Sequence, residues 1–311
     1  DRQPRAMSRG EAVSIASETP VLLLNAPLTG QRLGYDALSG LDLLELWAFI
    51  HPARFVVPTP RGLARTLGLE PPEREQDVAA LLIAAAQALL ERVTQADWRE
   101  REGAWTAAQS LQRLRWPWAP IIGPLLERPQ QAERWLFSRL PEWEEEAPRP
   151  VPRPYTPAPD AIETQLEALT GSDAEPRPGQ RAYAQAAAAA FAPRQERGRP
   201  TVMLAEAGTG IGKTLGYLAP ASLWADQAGG AVWISTYTKA LQRQLDAETQ
   251  RLPGGSNGAR GKVVVRKGRE NYLCLLNLED ALQGGFAGRA AILAHLVARW
   301  AAYTRDGDMV G

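Results

Sequence analysis

Ala207-Gly208-Thr209-Gly210-Ile211-Gly212-Lys213-Thr214 decides how this chain is read. The run Thr201-Val202-Met203-Leu204 ahead of it reads as a buried strand, and Gly212 to Ala225 reads as a helix opening from the glycine turn. A glycine-rich turn that ends in Gly-Lys-Thr between a strand and a helix is the context a phosphate-binding loop requires. The reason lies in the backbone. Glycines let successive N–H groups converge on one anion, and the helix N-terminus adds partial positive charge at the same spot. Lys213 is then placed to reach the β- and γ-phosphates of a nucleotide, and the Thr214 hydroxyl to ligate Mg²⁺. The first position of the pattern is Ala207 rather than glycine. Ala207, Gly208, Thr209, Gly210, Ile211, Gly212, Lys213 and Thr214 are therefore the expected ATP contacts, with Lys213 and Thr214 as the catalytic pair.

Outward from this loop, apolar runs alternate with helical patterns. Asp160 to Leu169 and Arg177 to Phe191 precede the loop as helices, the second centred on an alanine run, and alanine is the best helix former. Ala231-Val232-Trp233-Ile234-Ser235 and Lys262-Val263-Val264-Val265 read as further strands. Lys239 to Gln250, Asn271 to Leu282 and Ala290 to Tyr303 read as helices. Strands that alternate with helices predict a parallel α/β sheet with flanking helices, the RecA-like P-loop NTPase class, over residues 160–311.

Residues 1–145 read differently, as a mostly helical accessory domain with one candidate strand near Val21–Leu24. Arg61 to Leu69, ending at Gly68, and Asp77 to Val93 are helix candidates; in the second, Val78, Leu81, Leu82, Ala85, Leu89 and Leu90 share a face. Trp105 to Leu114 and Gln131 to Leu140 are two more. Trp98, Trp105, Trp116, Trp118, Trp135 and Trp143 crowd one region; they stack on bases of a single strand or fill a helical core, and their irregular spacing favours the core. Residues 146–159, with the run Pro148-Arg149-Pro150-Val151-Pro152-Arg153-Pro154, suit neither helix nor central strand and read as a linker.

Composition sets the outer limits. Lys+Arg and Asp+Glu both number 35 in a chain of 311 residues, so any nucleic-acid contact must come from a local basic stripe and not from net charge. Cys274 is the single cysteine, which excludes an internal disulfide and suits a reducing, cytoplasmic setting. No apolar run approaches the roughly 20 residues a membrane span needs, so no membrane partner is expected. A start at Asp1 and an end at Gly311 suggest a fragment of a longer protein.

The residues around the loop carry a more specific resemblance. Leu204 to Ala221 resembles the first motif of the superfamily 2 DNA helicases of the iron–sulfur XPD/DinG type. Arg177-Pro178-Gly179-Gln180 resembles their upstream R-x-x-Q element, which implies an adenine contact for Gln180. Ser235-Thr236-Tyr237-Thr238-Lys239-Ala240-Leu241-Gln242-Arg243-Gln244-Leu245 resembles the motif that touches the single-strand backbone, which implies DNA contacts for Thr236, Thr238 and Gln242. Arg266-Lys267-Gly268-Arg269-Glu270-Asn271-Tyr272-Leu273-Cys274 resembles K-G-R-x-N-Y-L-C, whose cysteine is a ligand of a 4Fe–4S cluster. Thr304 to Asp308 resembles the stretch before the second cluster cysteine, and residues after about 268 then enter the iron–sulfur region. Arg266 and Lys267, with Arg260, Lys262 and Arg269, form either a solvated face or a track for DNA phosphates.

The resemblance implies a DNA-dependent ATP hydrolase that moves on single-stranded DNA and opens duplexes with a single-stranded tail, in repair or replication. It uses ATP, Mg²⁺ and a 4Fe–4S cluster. The acidic D-E-x-H box and the other cluster cysteines are not in this sequence, so the stretch is expected to bind nucleotide without activity of its own. The alternative is a non-catalytic ATP-binding interaction module; a small-molecule kinase is disfavoured by the Thr236 to Leu245 run. Gly40 to Leu46, Pro58 to Leu69 and the helix after Asp77 faintly resemble the later part of a DnaQ-like exonuclease, but Asp42 and Asp77 find no acidic partners for two metals. An inactive relic is expected there, and His51 and His295 are assigned no chemistry.

Overall fold

The structure is a computed structural model that describes residues 5–131, 151–171, 177–196, 198–252 and 263–309. In chain order its main elements are α1 (Arg9–Glu18), β1 (Val21–Leu23), α2 (Ala26–Leu33), β2 (Gly40–Asp42), α3 (Leu43–Ile50), α4 (Pro60–Leu67), α5 (Val78–Thr94), α6 (Ala104–Arg113) and α7 (Ala119–Ile122), then α8 (Pro159–Thr170), α9 (Pro178–Ala188), α10 (Lys213–Ala228) and α11 (Lys239–Thr249), and finally α12 (Leu275–Asp280) and α13 (Arg289–Ala301). They fall into two compact units. One is drawn from Asp1–Glu142 together with Lys267–Gly311, the other from Trp143–Arg266. Among the described residues no helix is long and apolar enough to cross a membrane.

In the first unit, local chemistry sets most helix ends. Ser8 and Glu11 form a capping box at α1. Asp42 caps α3, its Oδ1 accepting from the N–H groups of Leu44 and Glu45 at 2.9 and 3.2 Å. Thr59 caps α4, Pro60 takes its first position, and Gly68 ends it with φ +69°, a left-handed value that glycine adopts at little cost. β1 and β2 pair in parallel, Val21 opposite Gly40 and Leu23 opposite Asp42. The core joins Leu43, Leu46, Phe49 and Ile50 of α3 to Ala85, Leu89 and Val93 of α5 and to Ile292 and Leu296 of α13.

Trp98, Trp116 and Trp118 belong to this core. Each indole N–H is satisfied inside it: Trp98 donates to the Ile50 carbonyl (2.9 Å), Trp116 to Glu45 Oε2 (2.9 Å) and Trp118 to the Asp42 carbonyl (2.8 Å). Buried and hydrogen-bonded, these three rings are packing elements, and truncating one to alanine costs roughly 3–5 kcal/mol. Trp135, Trp143 and most of the helix expected over Gln131 to Leu140 lie outside the described residues.

The second unit is a helical layer. Ile162, Leu166 and Leu169 of α8, Ala184 and Ala188 of α9, and Leu215, Leu218 and Ala219 of α10 make its core. The alanine run lets α9 and α10 approach closely. A Cβ at Gly216 would sit 2.8 Å from Tyr183 Cδ1, so a larger residue there would displace that ring. Residues 151–158, the described part of the expected linker, carry no regular structure; the Arg153 N–H donates to the Ala228 carbonyl at 2.9 Å and fastens them to this unit.

The fold expectation is met in part: the helices are present, while the RecA-like parallel sheet over residues 160–311 is not shown among the described residues. Among the described residues the chain is mostly helical, and β1–β2 is its one sheet. The expected strands at 201–204, 231–235 and 263–265 have no ladder among the described residues, and Lys262 lies outside them. Val202, Leu204, Trp233 and Val264 are 75%, 92%, 83% and 72% exposed. β-branched runs supply a preference for extended backbone, but a strand exists only through hydrogen bonds to a partner and burial of its faces. Among the described residues those runs have no ladder partner and are largely exposed.

Candidate nucleotide-binding site

Lys213 stands at the first position of α10, directly after Gly212. Gly210 and Gly212 take φ of +81° and +83°, values that let residues 207–213 curl over the helix end. The curl closes on the lysine: its Nζ donates to the carbonyls of Ala207 at 2.9 Å and Gly208 at 2.8 Å. The first N–H groups of α10 have no acceptor within the helix by its geometry, and the lysine stands at that same helix end. That is an arrangement for an anion with several oxygens.

Gln180, three positions into α9, is buried at 3% exposure. Its Nε2 donates to the Gly212 carbonyl at 2.8 Å. The structure thus joins the R-x-x-Q glutamine to the loop, although 32 residues separate them. Thr214 lies one residue along α10 from the lysine and three residues before Tyr217. Burial pushes the Tyr217 phenol above its ordinary value, with the neighbouring Thr214 hydroxyl opposing the shift. Sequence reading missed Tyr217; its spacing of three from Thr214, one helical turn, is the signal that could have found it.

The other expected residues are more scattered. Thr238 caps α11, its Oγ1 accepting from the Leu241 N–H at 3.2 Å, and the Gln242 N–H donates to the Thr238 carbonyl at 3.0 Å. Thr236 and Gln242 are half-buried, and Arg266 is exposed in a run without regular structure. Lys267 and Cys274 fall in the other unit. The Lys267 ammonium pairs with the Asp308 carboxylate, and Tyr272 bridges Asp308 in antiparallel fashion. Arg260 and Lys262 lie outside the described residues.

Thr214 offers one oxygen at the loop. Cys274 is exposed and is the only cysteine, one thiolate where a 4Fe–4S cluster takes about four, so the residues present do not make a cluster site. Among the described residues no three His, Cys, Asp or Glu side chains gather to hold a metal. Asp77 pairs with Arg74 at 3.4 Å. Asp42 and Glu45 do converge, but on a cation of the chain: Arg289 Nη2 lies 3.0 Å from Asp42 Oδ2 and 2.6 Å from Glu45 Oε1. Burial first, then the neighbouring Asp42, raise the Glu45 carboxyl above its ordinary value, while Arg289 and the Trp116 N–H oppose the shift. His51 is buried against the Trp47 ring, and burial lowers it to about 4.

No family model matches the chain, and no solved structure matches it. Curated proteins do. The chain is 42% identical over 139 residues to ATP-dependent DNA helicase YoaA of Escherichia coli (strain K12), a stretch that covers 43% of this chain and 20% of that protein. It is 35% identical over 137 residues to 3'-5' exonuclease DinG of Bacillus subtilis (strain 168), covering 43% of this chain and 14% of that protein. It is 39% identical over 128 residues to ATP-dependent helicase DinG of Mycobacterium tuberculosis (strain ATCC 25618 / H37Rv), covering 40% and 18%. The matched stretch therefore spans a fifth or less of the length of these relatives.

Proposed function

We propose, from its partial homology to the YoaA and DinG helicases of the XPD/DinG family of superfamily 2, that this chain is part of an ATP-dependent DNA helicase. The whole protein couples ATP hydrolysis to movement along single-stranded DNA and to separation of duplexes with a single-stranded tail, in repair or replication. The observation that carries the reading is the 207–214 turn closed over Lys213 at the head of α10. On this reading Lys213 exchanges its two loop carbonyls for the β- and γ-phosphates and stabilises charge on the transferred phosphoryl group. The first N–H groups of α10 face the same anion. Thr214 would hold Mg²⁺ through its hydroxyl, and the ion would supply neutralising charge at the phosphates.

Gln180 is the assigned adenine contact. Its bond to Gly212 couples the base to the loop, so that the two ends of the nucleotide are felt by one side chain. Thr236, Thr238, Gln242, Arg266 and Lys267 are assigned to the DNA backbone, where hydroxyls, amides and cations position phosphates without reading sequence.

The test is ATP hydrolysis by the full-length gene product, with and without single-stranded DNA, beside Lys213→Ala. The expected result is strong stimulation by DNA that disappears in the variant. Nucleotide binding with no response to DNA would overturn the helicase reading and leave an ATP-binding interaction module.

A further inference from the structure

Helix α13 carries a stripe of four buried or half-buried side chains, Arg289, Ile292, Leu296 and Arg299, at spacings of three, four and three. That spacing keeps them on one face. The face is apolar in the middle and cationic at both ends, and each part meets a matched surface made by residues of the N-terminal segment. Ile292 and Leu296 enter the core beside α3 and α6. Arg289 is held by the carboxylates of Asp42 and Glu45. Arg299, 5% exposed, meets a ring of carbonyl oxygens: Nε donates to Phe49 at 2.6 Å, Nη1 to Glu102 at 3.2 Å and Nη2 to Glu100. Its guanidinium also lies over Phe49, Trp98 and Tyr303 at 4.7, 5.7 and 5.5 Å from the ring centroids.

Two arginines ten residues apart fix the register of the helix. A shift of α13 by one turn would carry Arg299 off its three carbonyls and Arg289 off its two carboxylates together. Planar guanidinium forks demand this kind of geometry, which a lysine does not reproduce. The buried face of α13 is thus read by charge at both ends and by shape between them, as a helix in a groove is read by its anchors.

The docked helix in turn secures what flanks it. The Leu273 N–H donates to the Gly307 carbonyl at 2.9 Å, the Met309 N–H to the Asn271 carbonyl at 2.8 Å, and Lys267 pairs with Asp308. Residues 267–274 are therefore tied to the stretch just after α13. We infer that the segment before the proline-rich stretch is a receptor built for α13, and that its role is to hold the 267–309 segment, Cys274 included, in a fixed place. This assigns a partner to the N-terminal segment and does not depend on the helicase reading.

The test uses the whole chain with a specific protease site inserted after Gly254. After cleavage under native conditions, the piece that carries α13 is expected to co-elute with the remainder in gel filtration. Arg289→Glu sets an anion against Asp42 and Glu45 and should weaken retention at least tenfold. Arg299→Lys, which keeps the charge and loses the fork, should weaken it by a comparable factor; Arg243→Glu on α11 should leave it unchanged. Release of the piece from the unaltered protein would overturn the inference, as would undiminished retention with Arg289→Glu. If Arg299→Lys fails to fold, Arg289→Glu still decides, because that side chain is 34% exposed and its loss opens no cavity in the core.

Discussion

Gly212→Ala is the sharpest probe of the loop. Gly212 has φ +83°, and an L-residue held in the left-handed region costs about 1–2 kcal/mol. The added Cβ would also stand 2.1 Å from Gln180 Nε2 and 2.9 Å from its Cδ. The amide can swing away, but only by giving up its bond to the Gly212 carbonyl. An unsatisfied buried polar group costs about 1–3 kcal/mol. Together the terms come to about 2–5 kcal/mol, and at 1.4 kcal/mol per decade this lowers apparent nucleotide affinity roughly 30- to 3,000-fold through loss of the competent loop. The assay is calorimetric titration with ATP, run beside thermal unfolding so that loss of the loop is separated from loss of the fold. Adding Gln180→Ala removes the clash and leaves the φ strain, so the double variant should bind better than the two single effects multiplied. Affinity for Gly212→Ala within threefold of the unaltered protein, at unchanged melting temperature, would refute the argument that this carbonyl and this φ organise the loop.

His51 sets a pH dependence. Its folded value near 4 lies below the ordinary 6.5, so the unfolded chain binds the proton first. Its contribution, about 3 kcal/mol, is complete above pH 6.5 and is lost as pH falls towards 4. Glu45, raised by burial, slopes the opposite way near its own titration, so the pH profile of unfolding for His51→Gln against the unaltered protein isolates the histidine; parallel profiles would contradict its burial as a neutral ring. Leu218→Ala in the α8–α10 core should lower stability by roughly 2–5 kcal/mol in urea unfolding, and a change under 1 kcal/mol would mean that this core is not closely packed. Thr238→Ala should remove the α11 cap for about 1 kcal/mol, seen as faster amide exchange in the first turn of α11. If Thr238 also touches DNA, Thr238→Ser should restore both the cap and DNA binding, and restoration of the cap alone would argue against that contact.

The helices were the legible part of this sequence because their causes are local. α5 declares itself by Leu81, Ala85, Leu89 and Val93 on one face, and α4 by Thr59, Pro60 and Gly68 at its ends. α1 was readable too, from the Ser8–Glu11 pair, yet it buries no residue and so lacks the apolar stripe that draws attention. The loop at 207–214 is read from its own residues for the same reason: glycine, lysine and helix end act within one turn. What the sequence did not disclose is non-local. Val202, Trp233 and Val264 look like strand residues, but pairing is decided by a partner that propensity cannot name. Asp42 offered no sign that its cation would be Arg289, nor Phe49 that its carbonyl would meet Arg299. The bond between Gln180 and Gly212 became visible only when α9 and α10 crossed at Gly216.

The way the first unit is threaded has a consequence for synthesis. The Phe49 carbonyl and Arg299 are 250 residues apart, whereas the second unit is drawn from one continuous stretch between them. At roughly 5–20 residues per second, a ribosome needs on the order of 10–50 s to deliver the arginine after the carbonyl has emerged. By the end of that interval the second unit is complete while the first still lacks a wall. The nascent chain thus finishes its middle before its beginning, and the N-terminal core, with Phe49, Trp98 and Leu46 waiting for α13, is the stage at which a chaperone would be needed most.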